Sequence, residues 1–160
     1  MSEELAEFYQ HNLWANLRLI DFCASLGDEQ LDASAPGTFG TVRNTLLHII
    51  ANEEHYIGLL TSQPPEAPLR QKEGFPGFEP LRLHARRSGE TLIQIASTVD
   101  PGQILRGEFR GEPYAIPITV PLIQAINHAT EHRAQVATIL SQQGLQPPVL
   151  DGWTYGDEKA

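Results

Sequence analysis

Two histidines near the end of the chain, His128 and His132, have the spacing of a metal-binding pair. Residues four apart lie next to one another on one face of a helix, so both imidazoles can converge on a single ion with little strain. Many pairs of this kind are solvated surface residues, and the pair alone leaves that alternative open. The chain has four other histidines: His11, His48, His55 and His84.

The helical pattern around the pair favours a metal-binding site over a pair of solvated surface histidines. Apolar residues recur at a helical period along residues 119–143, and His128 and His132 lie on the flank of that apolar face. Gln124 and Gln135 lie on the same flank. A polar stripe that borders a core is typical of a pocket wall between helices.

His48 occupies a matching position in the segment 41–60. It flanks an apolar stripe, and Asn52 and His55 follow on the same side. Taken alone, His48 is more easily explained as a boundary histidine than as a ligand, but the distant pair makes it the natural third ligand. His55 has three interpretations, namely a fourth ligand, a proton shuttle or a surface residue, and the last is favoured. The expected pocket residues are Asn52, His55, Gln124 and Gln135.

Three neutral imidazoles leave an ion with open coordination positions, which is the pattern of catalytic rather than structural zinc. Imidazole also binds nickel, iron and copper, so the ligand set does not choose the metal. A water on such an ion can lose a proton near neutral pH, and a thiol or a carbonyl can bind in its place. We expect that water or thiol to be the reactive group. Cys23 falls on an apolar helix side, where cysteines are mostly inert, and the chain has no Gly-x-Ser-x-Gly elbow.

The periodicity predicts an all-α, up-and-down four-helix bundle in a single domain, 1–160, and such bundles build metal sites from facing helices. A long proline- and glycine-rich segment, 61–78, is the expected crossover between antiparallel helices and the candidate lid. Thr41 can cap the second helix, and 104–118 alternates as a short β-hairpin would. The tail should pack back on the body. The four helices are expected at 3–26, 41–60, 79–99 and 119–143.

The composition narrows the class of protein. Eleven basic residues stand against twenty acidic ones, which gives a formal net charge of −9. That balance argues against binding to nucleic acid or to an anionic membrane, since either kind of binding needs a positively charged protein surface. No apolar run reaches the roughly 18 residues of a membrane span, and the acidic N-terminus does not resemble a secretory signal. With a single cysteine in addition, these features favour the cytoplasm. The expected partner of the metal site is a small-molecule substrate.

Three motifs resemble those of the DinB-like (DinB/YfiT-like) family of metal-dependent enzymes. The run His-x-x-x-His-Arg-x-Gln, which ends at Gln135, looks like the family signature. Asn12, followed by Trp14-Ala15-Asn16, is similar to the opening motif, and the leucine pair before His48 resembles the second-helix motif. The resemblance covers nearly the whole chain. It departs at His55, where relatives commonly carry an aromatic residue.

The resemblance implies a four-helix bundle, often a homodimer, with a metal at His48, His128 and His132. Characterised relatives include thiol-dependent S-transferases, a thiol-dependent isomerase, and amide or ester hydrolases. The favoured hypothesis is therefore a metal-dependent S-transferase or hydrolase. It would use zinc or nickel, with iron or manganese as alternatives, and a low-molecular-weight thiol as co-substrate. The competing hypothesis is a non-catalytic metal- or ligand-binding module of a stress response.

Overall fold

Four long helices and a β-hairpin make up the protein, as predicted. The computed structural model describes residues 2–160. The long helices are α1 (Ser2–Cys23), α3 (Val42–Thr61), α4 (Phe78–Thr98) and α5 (Thr119–Gln142). The shorter elements are α2 (Asp28–Leu31), a 3₁₀ turn (Gln71–Glu73), strands β1 (Ile104–Phe109) and β2 (Glu112–Pro117), and α6 (Gly152–Lys159). No helix in the described part of the chain is long and apolar enough to cross a membrane.

The long helices do not pack in the order in which they follow one another in the sequence. Both α1 and α3 pack against α4 and α5, so that α1 and α3 lie on a diagonal of the bundle. The Tyr9 hydroxyl donates to the carbonyl of Leu122, 2.7 Å away, and Asn16 lies beside Arg133. Both residue numbers rise together, so α1 and α5 are parallel.

Helices α3 and α4 are also parallel. In one core cluster Ile50 joins Ala85, and in the other Leu60 joins Ala96. The expectation of a crossover between antiparallel helices was therefore wrong. A parallel neighbour forces the connection, 62–77, to run back along the whole of α3, which is about 30 Å long for 20 residues.

The ends of the elements follow local chemistry. Thr41 caps α3 as predicted, since its side chain accepts the amide hydrogen of Asn44. The hairpin turns at Arg110 and Gly111, whose φ angles are 53° and 84°, as a two-residue type I′ turn requires. Asp151 caps α6 through the amide of Thr154.

The tail packs back on the body, as expected. The ring of Tyr155 meets Trp14 edge-on, with 5.5 Å between centroids. Lys159 pairs with Glu7 at 2.7 Å. Helix α6 therefore covers the outer side of α1.

Helices α1 and α4 approach closely at Gly89, which is buried. A Cβ added there would lie 2.6 Å from Cδ1 of Leu13 and 3.0 Å from its Cβ. We expect Gly89→Ala to lower the free energy of unfolding by about 1–3 kcal/mol because the two helices must separate. Urea denaturation measures this change.

Gly58→Ala is the matched control within α3. Its Cβ would meet Cα of Pro64 at 3.5 Å and the carbonyl of Gln63 at 3.9 Å, which are both ordinary contacts. We expect it to raise stability by about 0.5–1 kcal/mol, the usual gain of replacing a helical glycine. Equal effects of the two substitutions would contradict the close approach at Gly89.

Candidate metal centre

Three histidines from two helices meet between α3 and α5. His48 lies in the second turn of α3, while His128 and His132 lie one turn apart on α5. One ligand atom from each of the three falls within 4.8 Å of the others. Nε2 of His48 is 3.0 Å from Nε2 of His128. Two nitrogens that each bind zinc at about 2.0–2.1 Å stand roughly 3 Å apart, so this cluster could hold one metal ion.

Two glutamines orient the imidazoles. The side-chain oxygen Oε1 of Gln135 is 3.0 Å from Nδ1 of His132, and that of Gln71 is 3.0 Å from Nδ1 of His48. An amide oxygen only accepts hydrogen bonds, so each of these contacts needs a proton on Nδ1. Nε2 then keeps its lone pair for a metal, which is the usual task of partners behind ligand histidines.

Phe39, in the loop before α3, covers one side of the cluster. Its ring stacks on His48 with 3.8 Å between centroids and meets His132 edge-on at 5.5 Å. Its backbone amide donates to Oε1 of Gln135 at 2.9 Å, so one glutamine contacts both His132 and the covering loop. The sequence analysis missed Phe39 and Gln71, since neither lies in a periodic segment. The available signal was an aromatic residue between glycines ahead of the helix that carries His48.

Burial favours the neutral form of two of the three imidazoles. It lowers the pKa of His48, and the nearby His132 lowers it further, against the hydrogen bond that the ring donates to Gln71, which raises it. Burial also lowers the pKa of His128 to about 4, with added repulsion from His132 and His48. Only a neutral imidazole offers a lone pair to a metal, so His48 and His128 are ready for ligation at neutral pH.

The other expected pocket residues divide into two groups. Asn52 contacts His48, donating to its carbonyl at 2.8 Å, and Gln135 contacts His132. Gln124 is exposed on α5, one turn before His128. His55 is exposed and lines a different cavity, of about 450 Å³, between α3 and the proline-rich crossover.

Two histidines outside the cluster, His11 and His84, are partly buried. His11 makes a hydrogen bond of 2.9 Å to the carbonyl of Leu150, in the tail. His84 pairs through Nδ1 with Glu54, at 2.6 Å. In both cases the partner comes from a distant part of the chain, which local spacing does not reveal.

Comparison with known proteins settles the family. The family model of DinB matches residues 1–159. The chain belongs to the DinB family. The crystal structure of a DinB-like protein from Bacillus cereus ATCC 10987 superposes on it with a TM-score of 0.68 and 22% sequence identity, covering 91% of this chain and 94% of that one. That likeness shows the fold. A search of curated proteins found no match.

Several residues of the DinB-like motifs do not contact the histidine cluster. They form a buried network of hydrogen bonds, which we call the relay. Nη1 of Arg133 donates to the side-chain oxygens of Asn12 and Asn16, each at 2.7 Å. The amide nitrogens of these asparagines in turn donate to one carboxylate oxygen of Glu53, also at 2.7 Å. Ser88 of α4 donates to the other oxygen at 2.8 Å. The relay thus joins all four long helices.

Burial governs the charges of this relay. It raises the pKa of Glu53, against the hydrogen bonds from Ser88, Asn12 and Asn16 and the charge of Arg133, which lower it. It lowers the pKa of Arg133 to about 10, against the opposing charge of Glu53. The hydrogen bonds and the charge of Arg133 therefore favour the ionised form of Glu53 against the effect of burial.

Arg133→Met removes the positive charge that acts on Glu53 and the two hydrogen bonds that Arg133 donates to the asparagines. Leaving one of two opposite buried charges uncompensated costs about 3–5 kcal/mol, and we expect a loss of that size in urea denaturation. Arg86→Met, at an exposed arginine on α4, is the control and should stay within about 0.5 kcal/mol of the parent. A loss for Arg133→Met no larger than the control's would refute the structural role of the relay.

Proposed function

We propose that this DinB-family protein is a metal-dependent enzyme with one divalent ion at His48, His128 and His132. The observation that carries the proposal is the convergence of three imidazole ligand atoms within 4.8 Å on two facing helices. The glutamine partners on the Nδ1 atoms of His48 and His132 support it, because they leave Nε2 free.

The residues of the site have separable tasks. When bound, a zinc, nickel, iron or manganese ion supplies Lewis acidity and open coordination positions for a thiol or a water. The three histidines hold it, and Gln71 and Gln135 fix the orientation of two of them. Phe39 shields one side of the cluster from water, while Tyr56, whose ring is 6.0 Å from that of His128, forms part of another wall.

Thiol-dependent S-transfer is the reaction class that we favour over hydrolysis. Amide side chains and aromatic rings contact the three histidines, and no carboxylate does so among the described residues. Metal-dependent hydrolases often need a carboxylate as general base. A thiol loses its proton far more readily than water does, so it needs no such base. Glu131, between the paired histidines, is exposed.

A non-catalytic metal- or ligand-binding module of a stress response is the alternative. It is favoured by the position of the cavity of about 450 Å³, which lies beside His55 and not at the histidine cluster. Such a module would retain its metal and show no turnover.

Metal content tests the site. We expect about one ion per chain in protein purified without a chelator or a histidine tag, and loss of that ion in His128→Ala and His132→Ala, because two imidazoles bind far more weakly than three. Elemental analysis gives the content, and circular dichroism checks the fold. His55→Ala is the matched control and should keep its metal. A parent without metal, and without thermal stabilisation by zinc, nickel, iron or manganese, would contradict the proposal.

Turnover separates the enzyme from the binding module. The metal-loaded protein should accelerate the reaction of a low-molecular-weight thiol, such as cysteine or glutathione, with 1-chloro-2,4-dinitrobenzene, and His128→Ala should not. Ester hydrolysis without thiol consumption would shift the assignment to a hydrolase. Bound metal without either activity across a panel of thiols and esters would favour the binding module.

We also propose that the protein forms a homodimer through an apolar face of α1 and α5. Phe8 and Ile123 are 63% and 67% exposed there, and a groove of about 390 Å³ lies beside them. The groove has no charged residue among those that line it. Two copies of a chain with a net charge of −9 therefore meet least repulsion at this face.

Ile123→Glu should convert a dimer into monomers, because it places a charge in the centre of the apolar face. Sedimentation velocity measures the mass in solution. Val149→Glu is the control, since Val149 is comparably exposed, at 57%, but lies in the tail. A parent that sediments as a monomer, or equal effects of the two substitutions, would contradict a dimer through this face.

A further inference from the structure

The crossover segment is tied to α3 at two neighbouring points. The amide of Leu69 donates to Oε2 of Glu54 at 2.6 Å. Two residues later, Oε1 of Gln71 accepts from Nδ1 of His48 at 3.0 Å. Because a single residue separates the two ties, the first one restrains where the side chain of Gln71 can reach.

Glu54 is held from a second helix. Its side chain is 5% exposed, and its other oxygen, Oε1, pairs with Nδ1 of His84 on α4 at 2.6 Å. A buried carboxylate is stable only when its oxygens are bonded. His84 therefore fixes the direction in which Glu54 presents Oε2 to the crossover segment.

Nδ1 of His48 lies between two partners with opposite demands. Oε1 of Gln71, at 3.0 Å, can only accept, whereas Nδ2 of Asn52, at 3.1 Å, can only donate. The identity of that nitrogen follows from its second contact, 2.8 Å from the backbone carbonyl of His48, since a carbonyl cannot donate. The two partners thus select different tautomers of the same ring.

The two tautomers differ in their capacity to bind a metal. With Gln71 in place, the proton sits on Nδ1, and Nε2 faces the cluster with its lone pair. With Asn52 as the donor, the proton moves to Nε2, which is 3.0 Å from Nε2 of His128. Nε2 of His48 then points a proton at the ion site and cannot serve as a ligand.

From this arrangement we infer that Glu54 and His84 form a positioning pair: through Leu69 and Gln71 they select the tautomer of His48 that can bind metal. The inference rests on the proposed metal site and goes beyond it. It assigns a function to the hydrogen-bonded pair Glu54–His84 on α3 and α4 and to the crossover segment that the pair holds.

Two measurements test the pair. The ¹⁵N chemical shifts of the His48 imidazole report its tautomer in metal-free protein, and competition with a chromogenic chelator gives the zinc dissociation constant. We expect Gln71→Ala and Glu54→Ala each to move the proton from Nδ1 to Nε2. Each should also weaken zinc binding about tenfold to a hundredfold, the usual effect of removing a partner behind a ligand.

Three further variants separate positioning from a general loss of structure. Glu54→Gln keeps an oxygen for the amide of Leu69 and should restore most of the zinc affinity. The double variant Glu54→Ala/Gln71→Ala should bind zinc no more weakly than either single variant, because both interrupt one chain of contacts. Glu66→Ala removes an exposed carboxylate of the crossover segment and should leave zinc affinity unchanged.

Additive effects in the double variant, or an unchanged His48 tautomer in Glu54→Ala, would overturn the inference. Should Glu54→Ala fail to fold, Leu69→Pro tests the same tie, because it deletes the amide hydrogen and leaves the Glu54–His84 pair in place. A parent that binds no zinc or other divalent ion would refute the proposed metal site. The tautomer measurement, which needs no metal, would still decide the positioning of His48.

Discussion

Arg133 and Glu53 carry opposite charges into the centre of the bundle, where Asn12 and Asn16 join them at 2.7 Å contacts. Hydrogen bonds between buried charges and amides tolerate little displacement, since a shift of one helical turn would leave each group unpaired. The relay therefore fixes the axial register of α3 against α5. His132 directly precedes Arg133, so the same register brings the paired histidines level with His48.

The order of the helices explains why a loop takes part in the candidate metal centre. Because α3 and α4 are parallel, the chain must return along the length of α3 before α4 can begin. That return path passes the histidine cluster, where Gln71 contacts His48. A short turn between antiparallel helices would have left Nδ1 of His48 to Asn52 and solvent. The long crossover is thus a requirement of the topology that also supplies a partner for a ligand.

Burial and hydrogen bonding have different effects on the histidine cluster: burial acts on the charge of the rings, and hydrogen bonding acts on their tautomers. Burial lowers the pKa of His48 and His128, which keeps both rings neutral, and the glutamines choose which nitrogen of His48 and His132 is free. Phe39 adds a nonpolar cover that contacts two of the three rings. These properties are the basis of our proposal of a thiol-dependent reaction over one that needs a nearby carboxylate.

Local pattern in the sequence determined the four long helices, the hairpin, the cap at Thr41 and the set His48, His128 and His132, because periodicity, capping and i,i+4 spacing are short-range properties. The tertiary structure decided the direction of α4, since a crossover of that length can join parallel or antiparallel helices equally well. It also decided the partners of individual side chains. Arg133 and Asn16, read from the sequence as family motif residues, proved to stabilise the core, while Phe39 and Gln71 reached the histidines from loops without any periodic signal. Contacts of this kind depend on which distant segments lie side by side. The buried relay fixes their relative positions only when the helices are packed.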